Sequence, residues 1–171
     1  MQFDPNVKLT RQNIKELPPL CTDGAWGTEM AKRGGDPGYI CDVWNLERPD
    51  AVFAVAKDYV DAGAQVILTN TFNSNPIALN RHLLANKAAE LNRLGAEISK
   101  RAAKGKAYVF ASIGPCGKMV MMGDIDPAVV EEAAARQAHV LEAGGADAIV
   151  IETQSDIVEA EAILKGALRG C

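Results

Sequence analysis

Val60-Asp61-Ala62-Gly63-Ala64-Gln65-Val66-Ile67-Leu68 returns later in the chain as Leu141-Glu142-Ala143-Gly144-Gly145-Ala146-Asp147-Ala148-Ile149-Val150. In both stretches the end of a helix meets a glycine turn and then a short run of aliphatic residues. Such a run, bounded by turn residues, reads as a strand buried on both faces. Helix, turn and strand in the same order twice demand a parallel sheet, because a helix must carry the chain back across the sheet before the next parallel strand can start.

Working outward, Pro49 occupies a first helical position, and Val52, Val55, Tyr59 and Ala62 recur at helical spacing until Gly63. Asn75-Pro76 starts a long helix whose stripe of Leu84, Ala88, Leu91, Gly95 and Ile98 runs on towards Gly105, and Tyr108-Val109-Phe110-Ala111 is the next strand. Asp126-Pro127 opens another helix, with Val130, Ala133, Gln137, Val140 and Leu141 on one side, and Ala148-Ile149-Val150-Ile151 follows it as a strand. The last helix begins near Ser155 or Asp156, with Glu159 placed as in a capping box. Before all of these, Leu20-Cys21-Thr22 reads as a short first strand behind a helix-like segment from Thr10 to Leu17. The pattern is about the first four β/α units of a TIM (β/α)8-barrel type of α/β fold. A complete barrel takes about 250 residues, against 171 here. The alternative is an open doubly wound sheet, although no G-x-G-x-x-G follows the first strand to favour a dinucleotide fold.

The composition, 48% hydrophobic and 23% charged, is that of a globular protein, and a net charge of -4 supplies no basic field for nucleic acid. The apolar runs are far shorter than the ~20 residues that cross a bilayer, and Met1-Gln2-Phe3-Asp4-Pro5 is unlike a signal peptide. A cytoplasmic protein without membrane contact is expected. Cys21, Cys41, Cys116 and Cys171 contain no C-x-x-C pair, which suggests reduced thiols rather than a disulfide framework or a local zinc knuckle.

Asp23-Gly24-Ala25-Trp26-Gly27-Thr28, Thr69-Asn70-Thr71 and Ile151-Glu152-Thr153 each stand where an apolar run gives way to polar or glycine chemistry. Parallel strands bring their carboxyl ends to one face, so these segments are expected around one small-molecule pocket. Singly, each has a plainer reading. Asp23-Gly24 is a turn pair, Glu152 can sit against a helix dipole, Asn70-Thr71 is a loop start, and Trp26 and Trp44 are packing residues. His82 and His139 lie on helical stretches without a paired ligand.

Taken in order with Cys41-Asp42-Val43-Trp44-Asn45-Leu46 and Ser112-Ile113-Gly114-Pro115, these segments resemble the homocysteine S-methyltransferase family, which includes the homocysteine-binding module of cobalamin-dependent methionine synthase and betaine-homocysteine methyltransferase. The resemblance implies a barrel that transfers a methyl group to the homocysteine thiol to give methionine. A zinc ion would favour the thiolate, the nucleophilic form. It assigns Asp23, Gly24 and Ala25 to the amino-acid end of the substrate and Glu152 to its ammonium group. Asn70, Thr71 and Thr153 supply polar groups at the mouth, Gly27 and Thr28 shape the turn, and Ser112 and Gly114 are loop framework.

On this resemblance residues 1–171 are the amino-terminal half of a single homocysteine-binding barrel domain, with 1–19 an amino-terminal extension. The family's zinc-binding cysteines lie in later motifs, one with a single cysteine and one with an adjacent pair, which none of the four cysteines here reproduces. No metal ligand and no catalytic residue is therefore assigned to the chain, which is expected to be inactive alone. Its partners are homocysteine and a methyl donor, with cobalamin or methylfolate supplied through other modules among the possibilities. Alternatives are a related methyltransferase acting on another thiol, a selenol or a corrinoid partner, and a non-catalytic half-barrel that self-assembles through open sheet edges or binds a partner.

Overall fold

The computed structural model describes residues 3–35 and 40–171, so all but two residues of the 1–19 extension are included. Its regular elements are the helices α1 (Trp26–Lys32), α2 (Trp44–Glu47) and α3 (Pro49–Asp61), strand β1 (Val66–Leu68), helices α4 (Pro76–Asn80) and α5 (Ala88–Ala103), strand β2 (Tyr108–Ile113), helix α6 (Pro127–Ala143), strand β3 (Ala148–Ile151) and helix α7 (Ile157–Gly170). Single 3-10 turns occur at Asn13–Glu16, Cys41–Val43, Ala85–Lys87 and Val120–Met122.

The sheet is parallel, in the order β1-β2-β3. Val66 pairs with Tyr108 and Leu68 with Phe110, while Phe110 pairs with Ala148 and Ile113 with Ile151. The expected first strand is reduced to one parallel bridge between Thr22 and Val66. Gln65 and Val66 donate to the Cys21 carbonyl and Asp23 donates to the Val66 carbonyl, after which the chain leaves the sheet. Pro18 and Pro19 have no N–H to offer a ladder and Gly24 begins the turn, so only this short piece can pair.

The long helix expected from Asn75 is also broken. Asn75 caps α4 by accepting from the Ala78 N–H, but the helix closes in a Schellman-type turn in which Leu84 N donates to the Leu79 carbonyl and Leu83 N to the Asn80 carbonyl. Leu83 takes the left-handed position, at φ +60. The Thr10–Leu17 segment forms only the 3-10 turn at Asn13–Glu16.

Helix α3 buries Val52, Val55, Ala56 and Val60, and the turn through Gly63 at φ +98 delivers the chain to β1. Together with α5 it covers one face of β1 and β2 through Ile67, Ala102, Ala103 and Val109. A second cluster joins Ala96 of α5 and Ile113 to Val130, Ala138 and Leu141 of α6 and to Ile163 of α7. The opposite sheet face, carrying Val66, Tyr108, Phe110 and Ala148, is covered by Phe3, Leu9, Leu17 and Leu20. The extension therefore packs as part of the core. Tyr108 Oη donates to the Asp4 carbonyl at 2.6 Å and fastens it there. Among the described residues no helix is long and apolar enough to cross a membrane.

Candidate active site

The parallel register sets the ends of β1, β2 and β3 side by side, and the turn after the Thr22 bridge joins them. A cavity of about 330 Å³ opens there, with Gly24, Ala25, Asn70 and Glu152 on its wall together with Trp26, Cys41, Asp42, Phe72 and Ser112. No Lys, Arg or His stands among the described lining residues. Two clefts of about 710 Å³ lie elsewhere, one between the extension and the start of β3 and one between α4 and α6, and neither includes a carboxylate from the carboxyl end of a strand.

Asp23 is half-buried, and its Oδ2 accepts from Trp26 Nε1 and from Leu68 N, both at 2.7 Å. One oxygen thus clamps the turn to the end of β1. Burial pushes this carboxyl above the usual aspartate range; the Leu68 and Trp26 N–H groups pull it back, and the Glu152 carboxylate pushes it up again. Asp23 and Glu152 therefore share one electrostatic environment. Glu152 follows β3, and its Oε1 accepts from Ser112 Oγ at 2.5 Å.

Asn70 is 5% exposed. Its Nδ2 donates to the Cys41 carbonyl at 2.8 Å and to Asn45 Oδ1 at 3.0 Å, so it braces the wall from within. Thr71 is fully buried, and its Oγ1 donates to the Ser112 carbonyl at 2.8 Å, behind the cavity. Thr153 is exposed at φ +59, next to Glu152 but outside the lining. Of the sequence-expected site residues, Gly24, Ala25, Asn70 and Glu152 thus line the cavity, while Asp23 and Thr71 support it from behind.

Other supports carry no assignment from the sequence. Asp42 is buried, and its Oδ1 accepts from Asn73 N at 2.7 Å and Ser74 Oγ at 2.8 Å. Burial raises its pKa above the usual range, and those two donors oppose the rise. Gln137 Nε2 donates to Asn92 Oδ1 at 3.0 Å and to the Thr71 carbonyl at 3.3 Å, and Asn92 Nδ2 donates to the Ser74 carbonyl at 2.7 Å. The loop from Thr69 to Asn75 is thereby held by buried amides from α2, α5 and α6. The available signal was an amide inside an apolar stripe, as Gln137 is, because a buried polar side chain must find partners.

Residues 20–170 match the family model described as homocysteine S-methyltransferase. The chain belongs to the homocysteine S-methyltransferase family. It is 33% identical over 160 residues to a methionine synthase of Mycobacterium tuberculosis (strain ATCC 25618 / H37Rv), the match covering 86% of this chain and 13% of that protein. A methionine synthase of Mycobacterium leprae (strain TN) is 33% identical over 161 residues, with the same coverage of 86% and 13%. Among solved structures, the oxidized form of the homocysteine methyltransferase MmuM from Escherichia coli gives a TM-score of 0.70 at 25% identity, covering 88% of this chain and 59% of that one. The metallated form gives a TM-score of 0.71 at 23% identity, covering 92% and 63%. The homocysteine S-methyltransferase segment described here thus spans 13% of the length of those methionine synthases and 59% to 63% of the solved chains.

The family's metal chemistry finds no donor set on this wall. Cys21 and Cys171 are exposed, and Cys41 lies on the cavity wall. Cys116 is buried, its N–H donates to Glu159 Oε1, and burial with the adjacent Glu159 carboxylate pushes its thiol up to about 12. Cysteine binds zinc as its thiolate, and among the described residues no three His, Cys, Asp or Glu side chains converge to hold a metal. These residues do not fit a zinc centre.

Glu159 also departs from the capping box. Asp156 Oδ1 caps α7 by accepting from Val158 N and Glu159 N. The Glu159 carboxylate, instead of turning back to the cap, ties α7 to the loop after β2.

Proposed function

We propose that this chain forms the amino-acid-binding wall of a homocysteine site, and that the complete protein transfers a methyl group to the homocysteine thiol to give methionine. The observation that carries this reading is the gathering of strand ends around one cavity whose charged groups are all carboxylates. An ammonium group entering it exchanges water for a charge-assisted hydrogen bond to Glu152, with Asp23 adding attraction from behind the wall. The exposed backbone at Gly24 and Ala25 offers room for the substrate carboxylate, and Ala25 has no side chain large enough to fill it. Asn70 and Thr71 keep the wall rigid.

What this wall contributes is placement. A thiol held at both ends of its amino-acid moiety meets a methyl group along a restricted line, which converts an encounter in solution into an oriented one. The four-unit barrel reading is in keeping with the parallel sheet and with the likeness to MmuM. A metallated form of that enzyme exists, but no step of this proposal runs through a metal on the residues described.

Isothermal calorimetry of the 171-residue chain with homocysteine, beside a methyl-transfer assay, tests the proposal. Binding without turnover is expected, with loss of binding in Glu152→Ala. Robust zinc-dependent turnover by this chain alone would refute the division of labour, and unchanged affinity in Glu152→Ala would refute the site. Competition by other thiols and by selenols separates the related-methyltransferase reading.

A second reading is self-association, favoured by the edge position of β3 and by the exposed Ile157, Leu164 and Leu168 along α7. An open parallel edge beside an apolar stripe is a surface that proteins pair or cover.

A further inference from the structure

We infer that Ser112 is a positioning residue, which fixes the Glu152 carboxylate so that one oxygen is held by the protein and the other is presented to the substrate ammonium. This rests on the reading of Glu152 given above and adds to it the device that aims the carboxylate.

Strand β1 stops pairing with β2 at Leu68, opposite Phe110, so the backbone of Ser112 has no ladder partner on that side. Two threonine hydroxyls take the place of the missing strand. Ser112 N donates to Thr69 Oγ1 at 3.1 Å, and Thr71 Oγ1 donates to the Ser112 carbonyl at 2.8 Å. The two hydroxyls are 2.5 Å apart. Because the Thr71 proton is committed to the carbonyl, Thr69 must donate to Thr71, and the ring closes with every group used once.

Ser112 is thereby locked in place, with 2% of its surface exposed. Its hydroxyl has only the Cα–Cβ and C–O rotations left. An ionised carboxylate only accepts, so the Ser112 hydroxyl donates to Glu152 Oε1. On the other side, Glu152 N donates to the Ile113 carbonyl at 3.1 Å, which fixes the start of the same side chain. A glutamate otherwise loses considerable rotamer freedom on gripping a ligand. Here the protein has already ordered it, through a relay crossing the ends of β1, β2 and β3.

The test compares homocysteine with 4-mercaptobutanoate, which keeps the thiol and carboxylate and lacks the ammonium, on the wild-type chain, Ser112→Ala, Glu152→Gln and the double variant. Ser112→Ala retains both backbone bonds to the threonines, so the sheet stays intact. Loss of a hydrogen bond to a charged group predicts about tenfold weaker homocysteine binding in Ser112→Ala, with 4-mercaptobutanoate unaffected. In the double variant the Ser112 effect disappears. Equal weakening for both ligands, or none for homocysteine in a chain that prefers homocysteine, overturns the inference.

Should the wild-type chain fail to discriminate the two ligands, the substrate reading of Glu152 falls and the aiming device is judged separately. The carboxyl-carbon NMR resonance of Glu152 in the unliganded chain is expected to move in Ser112→Ala. A resonance that stays in place overturns the inference on its own.

Discussion

Asp23 shows how a carboxylate can clamp a turn while its own charge opposes folding. Its carboxyl is raised by burial first and by Glu152 as well, against the pull of the Leu68 and Trp26 N–H groups. For an acid whose folded pKa lies above its unfolded value, ionisation opposes folding. The penalty is full above the folded pKa and vanishes as pH falls through it towards 3.8. Asp23→Asn should keep an acceptor for Leu68 and Trp26 while removing the charge. Its melting temperature is expected at or above that of the parent at neutral pH, with the gap closing in acid, while homocysteine affinity falls. A lower melting temperature at neutral pH would contradict this balance. The cysteines give a second residue-scale expectation. The thiolate is the reactive form, and Cys116 is buried with its thiol held up near 12. Iodoacetamide at mildly alkaline pH should label exposed Cys21 and Cys171 first and Cys116 last, read by peptide mass spectrometry.

At the scale of elements, the break between α4 and α5 explains what the hydrophobic stripe concealed. Leu84 and Leu91 keep helical spacing, yet Leu83 lies in the left-handed region and is 89% exposed. A left-handed residue with a Cβ costs roughly 1–2 kcal/mol, part of which glycine returns as unfolded-chain entropy. Leu83→Gly should therefore stabilise the chain by about 0.5–1 kcal/mol in urea titration; a loss of stability would mean that the exposed leucine makes a contact that matters. The pairing of α6 with α7 is of another kind. Gly166 sits so close to α6 that a Cβ there would come within 2.8 Å of Ala134 Cβ and closer still to the Glu131 carbonyl. The sequence marks Gly166 as a small helical residue, and only the crossing of the two helices makes its size necessary.

On the scale of the whole molecule, the sheet ends at β3, whose four residues are all half-buried. The apolar stripe of Ile157, Leu164 and Leu168 lies on α7, directly after that strand in the chain. Sedimentation velocity over a concentration series should show reversible self-association, weakened in Leu164→Lys/Leu168→Glu. A monomer at high concentration would contradict the open-edge reading. The extension is tied into the same architecture, since its Phe3, Leu9 and Leu17, with Leu20 just beyond it, close the sheet face opposite α3 and α5. Truncating residues 1–19 should therefore expose Tyr108 and lower stability, although the sequence reads this segment as an appendage.

The repeated helix–glycine–strand stretch, Pro49 and Asn75-Pro76, and the order of the strand-end segments determined the parallel α/β architecture and the family, because strand burial, helix starts and glycine turns are local properties that each segment carries with it. The same local signals placed Gly24, Ala25, Asn70 and Glu152 at one mouth. Which polar groups face the cavity was decided only in three dimensions. Thr71 turns to the Ser112 carbonyl, Asn70 to Cys41 and Asn45, and Asp23 to Leu68 and Trp26. A buried donor or acceptor takes whatever partner the packing brings within reach, and those partners come from residues distant in sequence.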